Sequence, residues 1–350
     1  MRGRRVFVTG HTGFKGTWLM TWLSELGATL KGYALAPAGP VTIYEQINGD
    51  RRWESVFGDI RDADRLAQEI QRFAPDVVFH LAAQPLVRLS YAQPLETWEV
   101  NVMGTANLLN AVRGLSKPCS VVVVTTDKIY ENRGTPYLYR ETDRLGGHDP
   151  YSASKAGTEL VAASFRDSFF PLDRLQAHGV TIATVRAGNV FGGGDWADDR
   201  LIPDAIRAFS NDQALTIRYP NAIRPWQHVL EPLSGYIALA EALPVDPVTF
   251  SAPWNLGPWP QDHLTVYDIA SRVATGWGGG RIVIDEHSEH VHEAGVLKLD
   301  ISKTVDRLGW RPRWSVSEGI ERAVRWYSSV AHGADAMTQC LNDIRDYSNG

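Results

Sequence analysis

Apolar residues in this chain fall into two alternating patterns. Short continuous runs, "RRVFVTG", "ATLKGYAL", "PDVVFHLA", "SVVVVT" and "VTIATVRAG", read as buried strands. Between them lie longer stretches with helical spacing. In "GTWLMTWLSELG" Trp18, Leu19, Trp22, Leu23 and Leu26 share one face and Gly27 ends it; "DADRLAQEIQRF", "PLETWEVNVMGTANLLNAV" and "PYSASKAGTELVAASF" behave alike. Short apolar strands joined by helices predict an α/β fold with a doubly wound parallel sheet of the Rossmann type, because parallel neighbours need a crossover and the helices cover both faces. After about Gly188 glycine, proline and tryptophan become frequent, as in "NVFGGGDWADDRLIPD" and "RYPNAIRPWQHV". This predicts a smaller, mixed C-terminal substrate domain that lends some chain back to the sheet. The expected division is 1–188 with 226–254 for nucleotide binding, and 189–225 with 255–350 for substrate.

Composition narrows the function. With 350 residues, 44% of them hydrophobic, the chain can bury a large core, and a net charge of −5 offers no footprint for nucleic acid or an anionic membrane. Only Cys119 and Cys340 are present, and "MRGRRVFVTG" lacks the apolar centre of a signal peptide, so a reducing cytoplasm is expected. No run approaches the ~20 apolar residues of a membrane helix. His228 and His292 lack a paired-ligand motif, and no metal is expected.

Three stretches carry chemistry. In "VTGHTGFKG", Gly10, Gly13 and Gly16 lie between the first strand and the first helix, where glycines let backbone approach a pyrophosphate and the helix N-terminus supplies donors and positive dipole. The second strand ends "YALAPAG", with Ala36 and Pro37 where a ribose-binding carboxylate might be sought and no arginine for a 2′-phosphate, so NAD is the expected cofactor. Asp59 and Ile60 in "GDIRD" offer an adenine-edge contact, or Asp59 is an ordinary cap. In "DPYSASK", Asp149 suits an N-cap and Pro150 the first helical position, placing Tyr151 and Lys155 on one helix face. An ammonium near a phenol favours phenolate, so Tyr151 is expected below its ordinary pKa of about 10, as a base. Finally, "TTDKIY" sets a hydroxyl, a carboxylate and an ammonium at the end of a valine-rich strand. Trp196, Trp226 and Trp254 either build a pocket or pack.

The turn "GHTGFKG", the loop "LAAQPLVRLSY", the strand end "TTDKIYEN", "YSASK", "RAGNVFGGGDW" and "RPWQHVLEPLSGY" together resemble the extended short-chain dehydrogenase/reductases, and among them the sugar-nucleotide 4,6-dehydratases, over essentially the whole chain. The resemblance implies NAD held by Gly10, Thr12, Gly13, Phe14, Gly16, Asp59, Ile60, Leu81, Ala82, Ala83, Thr125, Tyr151 and Lys155. It implies catalysis by Thr126, Asp127, Lys128, Tyr151 and Lys155, and substrate contacts from Gln84, Arg88, Asn189, Arg218, Arg224 and His292. In that family the strand end reads Thr-Asp-Glu: threonine orients the sugar, aspartic acid protonates the departing hydroxyl and glutamate takes a proton from carbon. Here Lys128 replaces the glutamate, as in the branch that acts on CDP-glucose. The implied reaction is oxidation at C4, loss of water across C5 and C6, and return of the hydride to C6, with no net redox change. A homodimer through a helix bundle, or a tetramer, is expected. A 4-epimerase would share the glycine turn and the Tyr-Lys pair without needing Asp127, and a non-catalytic dinucleotide sensor would not need the complete pair.

Overall fold

A computed structural model describes residues 1–39, 41–285 and 295–349. Its centre is a seven-stranded sheet made of β1 (Arg5–Thr9), β2 (Thr29–Ala34), β3 (Glu54–Phe57), β4 (Val77–His80), β5 (Cys119–Val124), β6 (Val180–Ala187) and β7 (Pro253–Leu256). The strands lie in the order β7-β6-β5-β4-β1-β2-β3 and all pairings are parallel. Every residue of β5 and β6 is buried, which is why "CSVVVV" and "VTIATVRA" carry no polar alternation. Chain order reverses between β1 and β4, and open α/β sheets bind ligands in the crevice outside the carboxyl ends of the strands at such a switch point.

Around the sheet run α1 (Phe14–Glu25), α2 (Ala63–Phe73), α3 (Gly104–Val112) and α4 (Pro150–Ser168). The stretch 94–112, expected as one helix, is one continuous helical run that widens into a π-turn over Glu99–Met103 between Pro94–Trp98 and α3. The cause is Asn101. Its side chain is clamped by the backbone of Gln84 and by Ser154, and its carbonyl accepts from the Thr105 and Thr158 hydroxyls. Satisfying those bonds widens the helix by one residue.

Beyond β6 the structure is a set of two-stranded pairings. Asn189–Phe191 runs parallel to Trp226–His228, Leu215–Ile217 parallel to Ile282–Ile284, and Ile223–Arg224 antiparallel to Leu264–Thr265. The boundary expected at residue 254 falls inside β7, whose pairing with β6 carries the sheet on to Leu256. Three later helices close the molecule: α5 (Leu230–Ala242), α6 (Val316–Ala331) and α7 (Ala336–Asn349). The motif "HVLEPLSGY" supplies their clasp. Buried Glu231 accepts from the backbone N–H of Trp314 at 2.8 Å and the Tyr347 hydroxyl at 2.7 Å, and Tyr347 meets Trp22 of α1 edge to face. No helix among the described residues is long and apolar enough to cross a membrane.

Candidate active site

The glycine turn and the loop after β4 meet in the crevice. Gly10 has φ of +75°, and a Cβ there would lie 2.7 Å from the Ala82 nitrogen; one on Gly16 would lie 2.0 Å from the Gly10 carbonyl oxygen. Both positions therefore demand glycine. Gly13 is different: a Cβ there would meet only the Gly10 carbonyl oxygen, at an ordinary contact of 3.5 Å, so packing does not demand glycine at that position. No side chain caps that start, and the first-turn N–H groups are left for an anion. Thr12 donates to the Leu35 carbonyl at 3.0 Å, and the Thr9 hydroxyl accepts from the Ala82 N–H at 3.2 Å, fixing Leu81, Ala82 and Ala83 against the turn. Phe14 opens the helix. A dinucleotide pyrophosphate fits this cradle. Ile60 is buried, whereas the Asp59 carboxylate is occupied by Arg61, with its backbone N–H at 2.8 Å and its guanidinium at 2.7 Å. Asp59 thus closes its own turn onto Arg61.

The catalytic candidates converge at the ends of β5 and α4. Asp149 caps α4 by accepting from the Ser152 N–H at 2.9 Å, with Pro150 first in the helix, so Tyr151 and Lys155 point together into the crevice floor. Lys155 donates to the Val124 carbonyl at 2.9 Å, joining helix to strand end. Thr126 donates to Asp127 Oδ1 at 2.9 Å, and Lys128 Nζ lies 3.5 Å from the same oxygen. Asp127 is fully buried, yet its Oδ2 has no hydrogen-bond partner. A buried carboxylate oxygen without a partner is costly, so a bound group is its natural complement.

The expected depression of the Tyr151 pKa is not what the structure displays. Burial pushes the phenol up to about 12, the Thr126 hydroxyl opposing and the Asp127 charge adding to the rise. Lys155 donates to Val124 and is itself drawn down to about 8 by burial, with Glu159 opposing. Desolvation outweighs the ion-pair rule when both partners are buried.

The side chains expected on the substrate side have partners within the chain. Gln84 is 8% exposed and its amide is spent locally: Nε2 donates to the Leu86 carbonyl and the Thr97 hydroxyl, and Oε1 accepts from the Leu86 N–H. It shapes the loop, with one lone pair of Oε1 left over. Asn189 turns its Oδ1 to Lys128 Nζ at 3.1 Å, so it holds the lysine. Arg88 and Arg218 come together on one carboxylate, Asp199, at 2.7 and 3.4 Å. Arg224 is buried and donates to the carbonyls of Ile223 and Gly295. His292 lies outside the described residues. Trp226 and Trp254 are core, and Trp196 packs edge to face on Tyr327 and donates to Gln46, so the tryptophans pack. His228 is buried among Trp18, Phe191 and Trp314.

Two residues in the cluster were not anticipated. Lys15, inside the glycine turn, is half-buried with its Nζ 3.5 Å from the Tyr236 hydroxyl, and desolvation lowers it to about 7, with the Lys155 and Arg200 charges next. Arg200 is paired with Asp195 at 2.8 Å, and its charge reaches Tyr151. A lysine amid the apolar first turn of α1 was the available signal for the first. Together with Lys128 and Lys155 these residues make the crevice positive around Asp127, an environment that favours oxyanions.

The sequence model of the GDP-mannose 4,6 dehydratase family matches residues 7–323. The CDP-glucose 4,6-dehydratase of Salmonella typhimurium is 51% identical over 347 residues, covering 99% of this chain and 96% of that protein. The CDP-paratose 2-epimerase of Salmonella typhi is 24% identical, covering 93% and 100%. Among solved structures, the dTDP-glucose 4,6-dehydratase of Streptomyces venezuelae with NAD and TYD bound superposes with a TM-score of 0.77 at 26% identity, covering 95% of this chain and 99% of that one. Because the family match runs from β1 to α6 and the half-identical relative spans nearly the whole chain, the chain belongs to the GDP-mannose 4,6 dehydratase family of extended short-chain dehydrogenase/reductases.

Proposed function

We propose that the chain is an NAD-dependent hydro-lyase that converts CDP-D-glucose to CDP-4-keto-6-deoxy-D-glucose, for deoxysugar biosynthesis. The substrate follows the Salmonella typhimurium relative. The observation that carries dehydration over epimerisation is Asp127, fully buried with one carboxylate oxygen unpartnered beside Lys128. A 4-epimerase needs no acid at that place.

Gly10, Gly13 and Gly16 would hold NAD, which would supply reversible hydride transfer between sugar C4 and C6 with no net redox change. Tyr151 takes the C4 hydroxyl proton, Thr126 orients the sugar, and Lys155 holds Tyr151 against the strand end. The resulting 4-ketone acidifies C5–H. Lys128, directly or through water, removes that proton while Asp127 protonates the C6 hydroxyl, which departs as water, and the proton goes back to C5 when hydride reaches C6. The positive surroundings stabilise the enolate formed on the way. Arg88 and Arg218 stand where the diphosphate can replace Asp199, with guanidinium forks suited to phosphate oxygens.

Incubation with CDP-glucose should yield the 4-keto-6-deoxy product; release of a C4 epimer with no dehydrated sugar would move the chain to the epimerases. Calorimetric titration should find NAD bound at least tenfold more tightly than NADP, because Ala36 and Pro37 follow β2 and Leu35 there is exposed. The reverse order would overturn the cofactor reading.

A homodimer is also proposed. Leu95, Trp98 and Met103 on the widened helix and Leu160 on α4 are 78%, 41%, 55% and 62% exposed, on neighbouring elements. Large apolar side chains gathered this way mark an interface. Light scattering should give twice the chain mass, and Leu160→Glu should shift it to the monomer; a wild-type monomer would dismiss the idea, and four copies would indicate the tetramer. A cytoplasmic setting is supported by Cys119 and Cys340, both buried and unpaired.

A further inference from the structure

One buried ion pair lies directly beneath the catalytic turn without reaching the crevice. Glu159 stands one turn beyond Lys155 on α4 and two beyond Tyr151, hence on the same helix face. Its carboxylate is 4% exposed and fully bonded. Oε1 accepts from the Thr125 hydroxyl at 2.6 Å and from Arg186 Nε at 3.1 Å; Oε2 accepts from the Thr184 hydroxyl at 2.7 Å and from Arg186 Nη2 at 2.9 Å. Arg186, on β6, then reaches across the turn. Its Nη1 donates to the Tyr130 hydroxyl at 2.9 Å, and that hydroxyl donates to Asn255 Oδ1 at 2.6 Å.

The connections bracket the reacting residues. Thr125 immediately precedes Thr126, Asp127 and Lys128, and Tyr130 follows them, so the pair holds both flanks of the turn. On the helix side Lys155 grips Val124, the residue before Thr125. Two consecutive residues of the strand end are thereby fastened to α4, one by the ammonium of Lys155 and one by the carboxylate of Glu159. A bidentate guanidinium–carboxylate pair fixes direction as well as distance. Glu159 is also the anion that opposes the loss of charge which burial imposes on Lys155.

We propose that the Glu159–Arg186 pair is a positioning device for dehydration. It sets Thr126, Asp127 and Lys128 in register with Tyr151 on α4, with its carboxylate one helical turn from the Lys155 side chain, without touching substrate or cofactor. This role rests on the dehydration proposed above.

The test is Glu159→Gln, which keeps shape but removes the charge, beside Glu159→Asp, which keeps charge but shortens its reach. Glu159→Gln should lose at least tenfold in kcat on CDP-glucose while KM stays within about twofold, since binding groups are untouched. The fall of kcat at alkaline pH should move to lower pH, because Lys155 without its carboxylate gives up its proton more readily. Glu159→Asp should lose kcat with that fall left where it is in wild type. Lysine labelled with carbon-13 at Cε, with the Lys155 signal identified by its loss in Lys155→Met, should titrate at lower pH in Glu159→Gln. That readout holds even if wild type proves to use another sugar nucleotide, so failure of the substrate reading is distinguishable. A Glu159→Gln enzyme whose kcat is merely scaled down at every pH, with Lys155 titrating as in wild type, would make the pair structural and overturn the proposal. Should Glu159→Gln not fold, Thr125→Val cuts the link to the turn alone. A fivefold or greater loss of kcat at constant KM supports the proposal, and full kcat defeats it.

Discussion

Asp127→Asn is expected to oxidise CDP-glucose at C4 and then stop. The amide keeps the shape of the carboxyl and can still meet the Thr126 hydroxyl, but it holds no acidic proton for the C6 hydroxyl. General acid catalysis contributes about 10²–10⁴-fold, so dehydration should fall by that factor or more while the first step survives. The readout is a rise in reduced-cofactor absorbance that persists instead of decaying, with no 4-keto-6-deoxy sugar released. Undiminished water loss would take Asp127 out of its role. The neighbouring Lys128→Ala separates the other half of the elimination. If Lys128 serves the C5 proton, exchange of C5–H with solvent deuterium should drop with it, and Asn189→Ala, which frees the lysine from its 3.1 Å partner, should produce a milder form of the same defect. Normal exchange in Lys128→Ala would make the lysine an anchor for Asp127 and Asn189 only.

Much of this arrangement could be read from the chain, for identifiable reasons. Buried parallel strands announce themselves as unbroken apolar runs, so β1, β2, β4, β5 and β6 were legible. β3 was not, because an edge strand is covered on one side only and "ESVF" is half exposed. The turns carrying Gly10 and Tyr151 were legible because their chemistry is local: a glycine forced by close approach, a cap, a proline and a pair four residues apart. Contacts between distant segments left no such trace. Nothing in "RAGN" says that Asn189 will face Lys128, and nothing in "AAQPL" says that Gln84 will use its amide on Leu86 and Thr97. Lys15 was hidden by the opposite effect, since a lysine beside a glycine reads as a solvated surface residue until the fold half-buries it beside the Tyr236 hydroxyl. The Tyr151 pKa was misjudged because spacing reports the partner and says nothing of the water both groups lose.

That last correction sharpens what Tyr151→Phe should do. In the free enzyme the phenol is held up at about 12, so it is protonated at neutral pH and the fraction able to act as base grows about tenfold per pH unit. The Lys155 ammonium, which sustains that base, is lost as pH passes about 8. For wild type kcat/KM should therefore climb through neutrality and decline on the alkaline side. Tyr151→Phe removes the base and leaves the glycine turn, the arginines and Asp127 in place. It should lose about 10²–10⁴-fold in kcat while KM for CDP-glucose changes little, because the phenol acts on the transition state more than on the bound sugar. C4 oxidation itself should fail, so no reduced cofactor should accumulate, in contrast to Asp127→Asn. The rising limb should disappear with the phenol, leaving residual activity flat until Lys155 titrates. Full turnover in Tyr151→Phe, or a rising limb that survives the substitution, would assign the C4 proton to another group in the same positive crevice, of which Lys15, drawn down to about 7, is the first to examine.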